Sequence, residues 1–327
     1  MTYSTFKTGI ICLLSSLFLL SFASCEPLTE QQTSITTSDG SKDNENSGNP
    51  DNGGFMQGEM PPEDEIWYTT IDGERLLLPE PIVTDAIALS HSYENGVWKI
   101  KLSDSPRKIY RIDESCARLT SLALPAGIAD IPAEAFYEFR FLTSIASYAE
   151  TVGSMAFLNC DALTNVELPY AKVISGGAFA GCNALTSLKL PSVTTIEDGW
   201  LDNFGLDFVR EHRVGAFAYC NNLTDIDIPS ATTIGAYAFY NSYAAASIRL
   251  PSVTHIGTEA FNRDTDYEDI PIFILKSIYI ESTTPPHIDR DAFPHDIAIY
   301  IPRNSLDIYK ETASWEEYAS QLVGYDF

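Results

Sequence analysis

A chain of 327 residues with 45% apolar and 20% charged residues has the composition of a folded protein and not of a wholly disordered one. Its 45 acidic residues outnumber 20 basic ones, a formal net charge of −25, which argues against nucleic acid or an anionic membrane surface as a partner. Six cysteines without a CxxC pair exclude a disulfide-stapled miniprotein and give no sign of a zinc or redox site.

Residues 1–24 carry a single charge, Lys7, and an apolar run from Ile10 to Phe22 that is too short to span a bilayer comfortably. That is the build of a signal peptide. The run ends in Phe22-Ala23-Ser24-Cys25, which resembles the lipobox of bacterial lipoproteins, with Cys25 as the acylated first residue of the mature chain. The expectation is an outer-membrane lipoprotein exposed on the cell surface. Plain secretion, or a lipoprotein facing the periplasm, are the alternatives. From Cys25 to Glu65 the chain is polar, and residues 26–65 hold ten acids against the one base Lys42. Such a segment buries too little apolar area to offset its chain entropy, so it is expected to be a disordered tether.

From Cys116 onward one unit recurs. An Ala-Phe pair appears at Phe136, Phe157, Phe179, Phe217, Phe239, Phe261 and Phe293, and an apolar-Pro step appears at Pro125, Pro169, Pro191, Pro229, Pro251 and Pro302. A period near 22 residues is the mark of a solenoid and falls in the leucine-rich-repeat range. In Leu185-x-x-Leu188-x-Leu190 the last two apolar residues alternate as a half-buried strand requires, and Pro191 ends it for lack of an N–H. One such coil leaves its faces open. Stacking at about 4.8 Å through parallel strand pairing closes them.

The unit resembles the BspA-type leucine-rich repeat, and Ile234-Gly235-Ala236-Tyr237-Ala238-Phe239 is a near-complete copy of its motif. The resemblance implies an α/β-type repeat solenoid. It would be a right-handed coil of about seven repeats over residues 109–302, with short parallel strands and irregular or short helical return arms. It also implies a small N-terminal β cap segment over 66–108 and a C-terminal cap over 303–327. It implies adhesion, with a host matrix protein, a host receptor or another bacterium as the partner.

Positions between the buried strand residues should face outward. One column reads Ala123, Ala146, Glu167, Lys189, Asp227, Arg249, Tyr279, in which Glu167 would pair with Lys189 and Asp227 with Arg249. This is either a recognition strip or a solvated sheet whose charges set register, and no aromatic row is expected along it. Cys116, Cys160, Cys182 and Cys220 share one repeat position, as a column of buried thiols or, at Cys160 and Cys182, within disulfide reach. Two insertions break the period. The 197–214 loop carries Trp200, Phe204, Phe208 and Arg210, types enriched in interface anchors, which either bind a partner or fold back as local core. The insertion near 262–271 is acidic but lacks the Gly and distal Glu of an EF-hand calcium loop.

The five histidines are scattered along the sequence, and there is no GxSxG, HExxH, GxGxxG or P-loop. The expectation is therefore a module that binds a protein and catalyses nothing, without cofactor or metal. Its contacts would be the 197–214 loop backed by the Glu167–Arg249 strip. A glycan-capturing accessory lipoprotein and a structural envelope spacer are the alternatives.

Overall fold

The computed structural model describes residues 60–76, 84–110, 112, 118–202, 212–242, 244–264 and 275–327. Three antiparallel strands come first: β1 (Glu65–Thr70), β2 (Ala88–Glu94) and β3 (Val97–Leu102), in the order β2-β3-β1. Asn95 and Gly96 join β2 to β3 with φ of 52° and 86°, the left-handed pair that a two-residue hairpin turn requires.

Each coil then gives a front strand and a two-residue back strand. They are β4 (Leu119–Ala123) with β5 (Asp130–Ile131), β6 (Ser144–Ala146) with β7 (Thr151–Val152), and β8 (Asn165–Glu167) with β9 (Val173–Ile174). β10 (Ser187–Lys189) follows with β11 (Thr195–Ile196). An inserted hairpin, β12 (Trp200–Asp202) and β13 (His212–Val214), comes next. The series resumes with β14 (Asp225–Asp227) and β15 (Thr233–Ile234), β16 (Ser247–Leu250) and β17 (His255–Ile256), and β18 (Ser277–Ile280) and β19 (His287–Ile288). β20 (Ala298–Pro302), α1 (Leu306–Glu311) and β21 (Leu322–Tyr325) end the chain.

The back strands form one parallel sheet of seven in the order β19-β17-β15-β11-β9-β7-β5. The front is divided into β2-β3-β1-β4-β6-β8, β10-β14 and β16-β18-β20-β21. β1 joins the coils by pairing antiparallel to β4, with Trp67 opposite Ala123 and Thr69 opposite Ser121.

The return arms differ from the expected irregular or helical segments. Among the described residues, the only helical turns lie at the C-terminus, at Arg303–Ser305, α1 and Ala313–Tyr318. With two strands per 22-residue coil, too few residues remain for a helix, and the arm is folded into consecutive tight turns instead. The residue before six of the seven Ala-Phe pairs takes a positive φ, at Glu134, Met155, Gly177, Tyr237, Glu259 and Asp291, and Gly215 before the remaining pair does not. The Ala N–H closes the turn onto the third residue back, as in Ala156 to the Gly153 carbonyl at 3.2 Å. A non-glycine residue there costs about 1 kcal/mol, and the packing beneath offsets it.

That packing is a ladder of seven buried rings, Phe136, Phe157, Phe179, Phe217, Phe239, Phe261 and Phe293. Successive centroids are 5.0 to 5.9 Å apart and successive planes within 12°. The Phe N–H groups donate to the Ala carbonyl of the next coil, so ring stack and backbone ladder share one register. On the surface, hydroxyls repeat the pattern: Thr232 and Thr254 donate to the Thr194 and Thr232 carbonyls, and Ser192, Ser230 and Ser252 to the carbonyls of Pro169, Pro191 and Pro229.

The C-terminal segment covers the last ring. Trp315 and Tyr318 are wholly buried against it and Tyr309 against Trp315, with Trp315 Nε1 donating to the Pro286 carbonyl at 2.9 Å and Tyr309 Oη to the Ser282 carbonyl at 2.8 Å.

Candidate binding surfaces

The outward column is one continuous row only in part. Glu167 lies beside Ala146, Lys189 beside Asp227, and Arg249 beside Tyr279. Among the described residues, neither Glu167–Lys189 nor Asp227–Arg249 closes an ion pair, which corrects the pairing expected from the sequence. Arg249 turns the other way, with Nη2 2.5 Å from Glu281 Oε1 and its guanidinium over the rings of Tyr279 and Phe327, 5.9 Å from each centroid. Glu281 raises the pKa of Arg249 still further, so the cation is permanent. The N-terminal end of the strip is also not solvated: Ser121, Ala123 and Ala146 are buried, and Trp67 of β1 stands directly opposite Ala123.

Beyond Arg249 the row becomes aromatic, contrary to expectation. β18, β20 and β21 are parallel neighbours, and Tyr279 and Tyr300 stack at 4.6 Å with a 10° interplanar angle. Tyr325 meets both edge-on at 5.6 Å, and Phe327 meets Tyr325 at 5.1 Å. Tyr325 is 40% and Phe327 47% exposed. Arg303 holds the chain end down with Nε 3.0 Å and Nη2 3.0 Å from the Asp326 carboxylate. The signal was present in the sequence as Tyr279 and Tyr300, each between two isoleucines, with Tyr325 following near Phe327. It becomes visible only when the terminal strands are stacked as further coils.

The 197–214 insertion is a hairpin at its base, with Trp200 opposite Val214. Trp200 is half-buried and lies over the preceding coil. A Cβ on Gly177 would stand 3.0 Å from Trp200 Cη2 and 3.0 Å from Val214 Cγ1. Glycine at 176 and 177 therefore makes the seat for this ring. Arg213 anchors the other strand, its guanidinium 5.0 Å over the Tyr240 ring and Nε 2.5 Å from Glu259 Oε2, off the hydrogen-bond line. Trp200 is thus seated on the coils. Phe204, Phe208 and Arg210 lie outside the described residues, as do Cys25, Cys116 and most of the 262–271 insertion.

Cys160, Cys182 and Cys220 are free, buried thiols in one column. Each sits against a carbonyl of the preceding coil, Phe136, Phe157 and Phe179, at 3.2, 3.3 and 3.2 Å, and Ser242 takes the same role in the next coil against Phe217. Burial pushes Cys160 and Cys220 up to about 12 and Cys182 well above its usual value. The column is a structural thiol ladder.

Two of the five histidines are not scattered once the chain is coiled. His255 and His287 are register partners on β17 and β19, their rings stacked at 5.2 Å. Asp289 lies against both, with Oδ1 3.2 Å from His287 Nε2 and Oδ2 3.8 Å from His255 Nε2.

The fold is a leucine-rich-repeat solenoid that offers side faces and one aromatic end. The profile of the BspA-type leucine-rich repeat region matches six copies over residues 113–213 and 213–284. The chain belongs to that family. A leucine-rich repeat protein of Bacteroides ovatus, known from its crystal structure, is 17% identical, with 66% of this chain and 70% of that chain covered and a TM-score of 0.29. No curated protein matches the chain.

Proposed function

We propose that the protein is a surface adhesion lipoprotein, anchored through Cys25 in the outer membrane, that binds a protein partner and catalyses nothing. The observation that carries the reading is the cluster of Arg249, Tyr279, Tyr300, Tyr325 and Phe327 at the C-terminal end of the front sheet. Aromatic side chains and arginine dominate binding hot spots because they bring large rigid area at low entropic cost. Here the rings brace one another before any partner arrives, which lowers the ordering cost of docking. The host matrix, a host receptor or another bacterium's surface is the partner class. Trp200 at the hairpin base, with Phe204, Phe208 and Arg210, is a second contact region, with Glu167, Lys189 and Asp227 on the front strands β8, β10 and β14.

Glycan capture is the second reading, since exposed tyrosines stack on sugars. Tyr279 and Tyr300 use a face on each other, which favours a protein partner.

The test is a binding screen of the full chain against immobilised matrix proteins and a glycan array, repeated with Tyr325→Ala/Phe327→Ala. The double variant is expected to keep its melting temperature and weaken binding more than about tenfold, as loss of a hot spot does. Unchanged binding removes this face from the function. Protease shaving of intact cells tests the orientation: a chain that survives until lysis faces the periplasm, and host adhesion is then wrong.

A further inference from the structure

The seven-stranded back sheet ends in a constellation that, among the described residues, no other back strand carries. The outward residue of each back strand reads Asp130, Thr151, Val173, Thr195, Thr233, His255, His287. Only the last two are imidazoles, and they are neighbours. Two residues on, where a strand returns to the same face, the chain has Gly257 in one coil and Asp289 in the other. Three nitrogen and oxygen donors therefore converge from one side, and one donor atom of each residue lies within 4.8 Å of the others.

The backbone under these donors is fixed. His255 N donates to the Thr232 carbonyl at 3.1 Å, His287 N to the Thr254 carbonyl at 2.9 Å, and Asp289 N to the Ile256 carbonyl at 2.9 Å. Ile256 and Ile288, between the donors, are buried in the core, so neither strand can rotate. Only side-chain torsions are free, and His287 is the most exposed of the three, its side chain 66% accessible.

We propose that His255, His287 and Asp289 form a binding site for a divalent transition-metal ion of the zinc type. Two imidazoles and one carboxylate are a common donor set for a borderline-soft ion, and they exclude a preference for calcium or magnesium, which take oxygen donors. Zinc with donors at about 2.0–2.2 Å places tetrahedral ligand atoms roughly 3.3–3.5 Å apart. The two Nε2-to-carboxylate distances, 3.2 and 3.8 Å, already bracket that span, and a torsional adjustment of the exposed His287 ring closes the remainder. The open positions face solvent beside a cleft of about 520 Å³ lined by Asp289, Arg290, Ser314, Glu316 and Glu317. Water or a donor from a partner can occupy them, as at other three-ligand zinc sites.

A second group, Asp291, His295 and Glu317, also brings three donors together, but it has one imidazole, and that ring is stacked on Tyr318. It serves as the internal control.

The experiment is calorimetric titration of the untagged full chain with Zn²⁺, using Mg²⁺ as the comparison ion. The parent should bind one Zn²⁺ at this site and ignore Mg²⁺. His255→Ala, His287→Ala and the near-isosteric Asp289→Asn should each weaken that binding more than about tenfold with the melting temperature retained, while His295→Ala should not. Absence of Zn²⁺ binding by the parent overturns the proposal. So does binding that survives His255→Ala and His287→Ala, or that is abolished by His295→Ala. Should either His variant misfold, Asp289→Asn alone decides, since it keeps the shape and removes the anionic donor.

Discussion

At the scale of single residues the solenoid is held by columns in which each side chain satisfies a group in the coil before it. The thiol column is the clearest titratable case. Cys160, Cys182 and Cys220 are neutral in the fold because burial penalises the thiolate, and Cys160 and Cys220 are held up to about 12. Unfolded thiols release their protons near pH 8.5. The folded state therefore binds more protons above that pH, and the stability the thiols contribute is complete below it and is lost as pH rises toward about 12. The slope is about 1.4 kcal/mol per pH unit for each thiol. Denaturant melts between pH 7 and 10 should show this loss, and Cys220→Ser should reduce it by about one thiol's share. A pH-independent midpoint over that interval contradicts the assignment. Serine already serves at the equivalent position, Ser242, so the variant is expected to fold.

At the scale of elements the inserted hairpin interrupts nothing. Phe179 and Phe217 are 38 residues apart in sequence yet stack at 5.4 Å with a 1° interplanar angle, and β11 pairs with β15 as though the insertion were absent. Removing residues 198–213 restores the spacing of the Ile174–Phe179 coil. The shortened protein loses the Trp200 seat on Gly177 and the Arg213–Glu259 contact but keeps the ring ladder. Its melting temperature should fall by no more than about 5 °C, the shift expected for a loss of 1–2 kcal/mol in a chain of this size. Collapse of the cooperative melt would instead make the hairpin part of the core. Partner binding by the same variant reports whether the loop or the aromatic end carries recognition.

At the scale of the whole molecule each coil is stable only through its neighbours, so the ends determine solubility. The β2-β3-β1 sheet joins the coils through β1 on β4, and Trp315 and Tyr318 lie against the last ring, Phe293, with Tyr309 packed on Trp315. Ending the chain after Pro302 would expose Phe293 and the edge of β20. That truncation is expected to bind a hydrophobic dye and melt without cooperativity, and Trp315→Ala, which empties the centre of the cap, to cost about 3–5 kcal/mol. A truncated chain with the parent's melt would show that the cap is dispensable.

The coil itself was legible in the sequence because its causes are local. Alternating apolar residues, a proline stop and an Ala-Phe turn recur at fixed spacing, and any chain carrying them must bury the same positions. The buried thiol column followed from one shared repeat position. The strip's charge pairing was not legible, because a shared column does not fix which strands pair or which way a long side chain turns: the front ladder breaks between β8 and β10 and between β14 and β16, and Arg249 meets Glu281 and two rings instead. The turn-built return arm needed the backbone to be traced, since tyrosine, glutamate and methionine in left-handed positions carry no glycine signal. Period and composition by themselves determined which faces are buried. Stacking alone brought Tyr279 to Tyr300 and His255 to His287, with Tyr325 edge-on beside the tyrosine pair, because parallel register joins residues 21 and 32 positions apart that no local pattern relates.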